Sequence, residues 1–152
     1  MASRFGRRFE LRRYREDLQR RGHTVTSRWL DLPSEDPSPE AQAKCAAIDL
    51  EDIYRAETLI AFSEAAVRSK PRKHSRGGRW VEYGLALGTG KPVVLVGPRE
   101  NVFCHLAQVT VYPSWQDYIN TLDAAPIRVC NKCNRVISTR DETKVYFCKA
   151  CQ

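Results

Sequence analysis

No apolar run in the chain approaches the ~20 residues that a membrane-spanning helix needs. No apolar signal-peptide core follows Met1; the first 21 residues are dense in arginine instead. Internal repeats are absent as well, which excludes a solenoid or propeller. The expected setting is therefore intracellular: a reducing cytoplasm. There, six cysteines point to metal binding or chemistry rather than to a disulfide framework.

What is present fits one ordinary globular domain with at most a small appendage: 152 residues, 42% hydrophobic and 28% charged. The formal charge is +7 and the pI near 9.3. A basic balance invites nucleic acid or another phosphorylated partner. Much of it sits in one early run: Arg4, Arg7, Arg8, Arg12, Arg13, Arg15, Arg20 and Arg21. That run reads either as a solvated helix face or as an anion-binding surface.

Periodicity predicts a helix over 5–21 closed by Gly22, then a strand over 23–30 around Val25 and Trp29. A proline-rich loop follows. Ser38-Pro39-Glu40 starts a second helix reaching about residue 57, with Ala43, Ala46, Ala47, Leu50, Ile53 and Tyr54 as its expected buried stripe. Strands are expected at 58–62, 92–96 and 109–112, and helices at 79–87 and 114–122, with a helical turn over 101–106. Strands alternate with helices, and two of them are continuously apolar, which argues for a parallel sheet covered on both faces. Ligands in such sheets bind at the carboxyl ends of the strands, near the loops of Ser63 and Gly97 and the turn before Glu82. The α/β domain spans 1–122, and Asp123-Ala124-Ala125-Pro126 opens a linker over 123–127.

Residues 128–152 hold two Cys-x-x-Cys pairs, Cys130 with Cys133 and Cys148 with Cys151, separated by fourteen residues. Each pair can grip one metal ion from a tight knuckle, and four thiolates select zinc in a closed structural site, a zinc ribbon. So small a segment has no core of its own, and the metal supplies its folding energy. The stretches Val136-Ile137 and Val145-Tyr146-Phe147 suit a small hairpin. Lys132, Arg135, Arg140, Lys144 and Lys149 decorate the ribbon. It touches nucleic acid, contacts a partner or covers the main domain; its residues leave all three open. Cys45 and Cys104 read as buried small hydrophobes.

Two acids stand apart. Glu82 lies in an otherwise apolar or neutral helix, between Gly77-Gly78 and the strand after Lys91-Pro92. Its expected place in the first helical turn favours the ionised form through the helix dipole. Asp49 sits in Ile48-Asp49-Leu50-Glu51-Asp52-Ile53 and shares a helix face with Asp52. Glu51 reads as solvated. Asp52 reads equally as a solvated or a site residue.

Four segments in this order resemble the nucleoside 2-deoxyribosyltransferase-like superfamily, which includes deoxynucleotide N-hydrolases. They are Ala2-Ser3-Arg4-Phe5-Gly6-Arg7-Arg8; Asp49-Leu50-Glu51-Asp52-Ile53 with Leu59-Ile60-Ala61-Phe62-Ser63-Glu64; Gly77-Gly78-Arg79-Trp80-Val81-Glu82-Tyr83-Gly84 with Gly90-Lys91-Pro92-Val93; and Glu100-Asn101-Val102-Phe103. The resemblance covers about residues 2–120. It implies a three-layer flavodoxin/Rossmann-like parallel sheet. The family's first strand, which precedes its Ala-Ser-x-Phe loop, is missing from this sequence, so the sheet is expected one strand short.

The resemblance also implies a mechanism. Glu82 attacks the anomeric carbon of a (deoxy)nucleoside or its monophosphate, and Asp49 protonates or stabilises the departing base. Water or a second base resolves the glycosyl-enzyme. Ser3, Arg4, Gly6, Ser63 and Gly78 would line the substrate, and Asn101 would reach a neighbouring site across a homodimer. Simple transferases of the family carry an acid six residues before the nucleophile, where this chain has Arg76. That favours an anionic nucleotide, to which the basic loop around His74 would add charge. No organic cofactor is implied. Two other readings compete: a nucleotide-sensing module without turnover, and a nucleic-acid-binding adaptor working through the zinc ribbon and the basic helix.

Overall fold

Leu-Ile-Ala-Phe and Val-Val-Leu-Val, each apolar at all four positions, can be satisfied only as strands covered on both sides. In the computed structural model, which describes residues 1–32, 36–64, 77–123, 128–129 and 136–137, they form β1 (Leu59–Phe62) and β2 (Val93–Val96). With β3 (Val109–Tyr112) they make a parallel sheet in the order β1-β2-β3. The register pairs Leu59 with Val93 and Val93 with Val109. The chain is thus mixed α/β.

Alternation sends Ile60, Phe62, Val94 and Val96 to one face. They pack against Leu11 and Leu18 of α1 (Arg8–Arg20), against Trp29 and Leu30, and against Trp115, Tyr118 and Ile119 of α4 (Trp115–Asp123). Leu59, Ala61, Val93 and Leu95 face the other way, onto Tyr83 and Ala86 of α3 (Gly78–Gly88) and Cys104. The fourth helix, α2 (Pro39–Arg55), packs on α3 and on a 3-10 turn over Arg28–Asp31. It starts as expected: the Ala41 amide donates to Ser38 Oγ at 3.3 Å, with Pro39 in the first turn.

The strand expected over 23–30 does not form. Residues 23–27 have no regular structure, and 28–31 are the 3-10 turn. A strand needs an edge with free amides and carbonyls. The open edge of β1 is already met by Ala2, whose amide donates to Ile60 O (2.8 Å) and whose carbonyl accepts from the Phe62 amide (2.9 Å), a parallel bridge to Ala61. Trp29 instead donates its indole N–H to Met1 O at 2.9 Å.

The expected stripe of α2 is also corrected. Of that set only Ile53 is buried; Ala43, Ala46, Ala47, Leu50 and Tyr54 are exposed. The helix turns inward on Cys45, Ile48, Asp49, Asp52 and Ile53, spaced three and four apart. Arg28 sets that rotation. Its backbone amide (2.8 Å) and Nε (2.7 Å) both donate to the Asp52 carboxylate, so the acid is inside and the alanines are out.

Several arginines of the early run are engaged within the fold. Arg7 pairs with Glu10, Arg15 with Asp31, Arg20 with Asp17 and Arg21 with Asp123, while Arg12 donates to Leu30 O at 2.6 Å. Cys104 is buried as expected, and Cys45 is half-buried. At the carboxyl end, Arg128–Val129 and Val136–Ile137 form an antiparallel pair, β4 and β5, joining the residues on either side of the first Cys-x-x-Cys. Cys130, Cys133, Cys148, Cys151, Val145–Phe147 and the basic loop with His74 lie outside the described residues.

Candidate functional site

Asp49 comes from the inner face of α2 and Glu82 from α3, and the packing of these helices brings both carboxyls to one cleft. Met1, Ser27, Trp29, Asp52 and Leu59 are among the other residues that line it. Burial dominates the chemistry there. It pushes the Glu82 carboxyl up to about 7, with the Asp49 and Asp52 charges adding to the rise and the Met1 amino group opposing it. Asp49 is raised to about 6 by burial and then by Asp52, against the Met1 amine and Arg28. One Asp49 oxygen, Oδ1, is buried with no hydrogen-bond partner among the described residues. The Met1 amine donates to Ser27 Oγ, and burial lowers its pKa.

These facts revise two expectations. Glu82 is the fifth residue of α3, and the first turn of that helix holds no acid. The orphan amides of the helix start are therefore out of its reach, and desolvation raises its pKa where the dipole was expected to lower it. The cleft also lies elsewhere than the carboxyl ends of the strands. Leu59, the first residue of β1, lines it, along the edge where Ala2 pairs.

The expected substrate residues fall outside this cleft, and three of the six already have side-chain partners. Arg4 donates from Nε to Glu64 Oε1 at 3.0 Å. The Ser63 hydroxyl is buried and donates to Pro98 O at 2.6 Å. Gly97, at φ +114°, packs on Ser63 so closely that a Cβ would sit 2.7 Å from its carbonyl oxygen. Asn101 caps its own 3-10 turn, Val102–His105: its Oδ1 accepts from the Phe103 amide at 3.0 Å. Gly6 and Gly78 are exposed, and Gly78 begins α3. Ser3 Oγ is buried without a partner among the described residues.

Sequence reasoning missed a clamp at the carboxyl ends of the strands. Arg79 donates to Phe62 O (2.8 Å) and to Glu100 Oε2 (2.8 Å), and Glu100 Oε1 accepts from the Glu64 amide (2.7 Å). This ion pair is nearly enclosed, with side chains 9% and 17% exposed. It ties the start of α3 to the loops after β1 and β2, three residues before Glu82. The only signal was the adjacency of Arg79 to the glycine turn. Glu100 belonged to the segment expected to serve a neighbouring subunit. Ser27 and Trp29 were missed as well, because nothing in their local pattern links them to α2 or α3.

No protein-family model matches this chain, and neither does any curated protein or solved structure. Among the described residues no group of His, Cys, Asp and Glu is arranged to hold a metal ion, and no helix is long and apolar enough to cross a membrane.

Proposed function

We propose that the protein cleaves or exchanges the N-glycosidic bond of a (deoxy)nucleoside or its monophosphate, on a flavodoxin-like α/β domain. One observation carries the proposal: two acids from different helices share one cleft, and burial holds both carboxyls near neutrality. That is the equipment for a reaction needing an ionised carboxylate and a protonated one together.

In the forward step, ionised Glu82 attacks the anomeric carbon. The C–N bond breaks, its electron pair leaves with the base, and Asp49 in its acid form supplies the proton. Water, or an N–H of a second base, then displaces Glu82 from the sugar and passes its proton to the Asp49 carboxylate, which restores both acids. Both carboxyls titrate in a narrow interval, so the protons belong to the pair rather than to either residue. The competent form, Glu82 ionised and Asp49 protonated, is the minority one of the two singly protonated forms. The basic balance of the chain supports a phosphorylated substrate.

The ribbon after the linker would take zinc on Cys130, Cys133, Cys148 and Cys151, where four thiolates make a structural site. The protein would work in a reducing cytoplasm, which keeps those thiols available.

Chromatography of purified protein with nucleosides and 2′-deoxynucleoside monophosphates, with and without a second free base, tests the proposal. Free base should appear with wild type and be lost in Glu82→Gln. No release from any of them refutes it. Intact but bound nucleotide would identify a sensing module instead. Salt-sensitive nucleic-acid binding that survives Glu82→Gln would identify an adaptor.

A further inference from the structure

Asp49 and Asp52 are the same residue type on the inner face of α2, one helical turn apart, and both line the cleft with Glu82. Their surroundings differ. Both Asp52 oxygens are taken: Oδ2 accepts from the Arg28 amide at 2.8 Å and Oδ1 from Arg28 Nε at 2.7 Å. The Thr26 hydroxyl donates to the Asp52 backbone carbonyl at 3.0 Å, so residues 26–28 grip this turn of the helix at two points. The Asp52 side chain is 5% exposed and that of Arg28 45%, which puts the anion inside and its cation at the rim. Asp49 has no such grip, since its Oδ1 is buried without a hydrogen-bond partner among the described residues. One acid is pinned as half of an ion pair, and the other is left to carry a proton.

We propose that Asp52 is a positioning residue for the acid pair: pinned by Arg28 one turn from Asp49, its fixed negative charge draws the shared proton onto Asp49 rather than onto Glu82.

Placement gives the charge its selectivity. Asp52 and Asp49 are neighbours on one helix face, whereas Glu82 belongs to α3. Among the influences that raise Asp49, Asp52 is second only to burial; among those that raise Glu82 it comes last, after burial and Asp49. The other charges facing the two acids are the Met1 amine, which lowers both, and Arg28, which lowers Asp49. Asp52 therefore moves the pair toward Glu82 ionised and Asp49 protonated. This inference rests on the glycosyl-transfer reading for its use, because that reaction needs the proton on Asp49, but the position of the proton is measurable without turnover.

Carbon-13 titration of the full chain with labelled aspartate, in a Glu82→Gln background, tests it, since Asp49 is then the one member of the pair left to titrate. Its midpoint should stand near about 6. Adding Asp52→Asn should carry it down toward the ordinary 3.8. Adding Arg28→Gln should carry it up, because the amide of residue 28 still holds Asp52 while the opposing cation is gone. Glu51→Gln, which removes the exposed second partner of Arg28, should leave it in place. With Glu82 present, Asp52→Asn should lower kcat/KM for base release at pH 7 about threefold or more, as Asp49 gives up its proton. An ion pair that merely props the fold would displace Asp49 in the same direction when either partner is changed. Such a result, or an Asp49 midpoint unmoved by Asp52→Asn, overturns the proposal. Opposite displacements without base release from any substrate would instead remove the glycosyl-transfer reading and leave Asp52 as the group that sets the proton.

Discussion

Replacing Glu82 by glutamine should make the protein more stable in alkali and, for the proposed reaction, abolish base release. The Glu82 carboxyl rises from 4.5 to about 7, chiefly by burial. Between these values the folded protein holds a proton that the unfolded chain has released. Stability therefore falls as pH rises through that window, and the full penalty is present above about 7. A displacement of that size, at ~1.4 kcal/mol per pH unit, corresponds to roughly 3 kcal/mol. The figure is a ceiling, because losing Glu82 also removes the attraction that helps hold the Met1 amine charged. Glutamine has the same shape and no ionisation, so at pH 8 the variant should recover about 2 kcal/mol. For a chain of this size that raises the melting temperature by roughly 4–8 °C. At pH 4.5 the gain should vanish, since both carboxyl forms are then largely neutral in the fold. Urea or thermal melts of both proteins at the two pH values decide it. A variant that melts no higher than wild type at pH 8, or that gains equally at pH 4.5, refutes the account of a desolvated acid.

Asp49→Asn should lower the Glu82 pKa, because the Asp49 charge is among the groups raising it; a carbon-13 carboxyl titration reads the shift directly. For the proposed reaction, kcat/KM in wild type should follow a bell with limbs near about 6 and about 7, and Asp49→Asn should remove one limb. Arg79→Met leaves Glu100 charged and nearly enclosed without its cation, which should destabilise by about 3 kcal/mol or more. Glu100→Gln paired with it should recover part of that loss in the same melts. Gly97→Ala forces a side chain onto φ +114° and into the Ser63 carbonyl, and its melting temperature should fall well below wild type. Thiol modification of the full chain should release about one zinc per chain, seen with a chromogenic chelator, and none from a variant with the four ribbon cysteines changed to serine.

The sheet was legible from composition alone. Leu59–Phe62 and Val93–Val96 are apolar at every position, and only a covered parallel strand accommodates that. Local chemistry also placed the start of α2, because Ser38-Pro39 satisfies an orphan amide and presets the first turn whatever the surroundings. Glu82 stood out as the one acid of its helix, and Asp49 through the resemblance of the segment around it.

Other features depended on partners distant in sequence. Counting apolar residues put the alanines of α2 inside. Arg28, more than twenty positions away, grips Asp52 and rotates the helix the other way. Residues 23–30 have the composition of a strand, but the edge they needed is met by Ala2. The direction of the Glu82 pKa came from the same source. A helix dipole is a local property and argues for an ionised acid, whereas desolvation depends on which helix packs beside it and argues for a neutral one. Residue identity and spacing thus determine which segments become strands and helices and which acids are out of place. How a helix is rotated, which edge is free and how much water an acid keeps are set by long-range contacts, and these exist only once the chain has closed on itself.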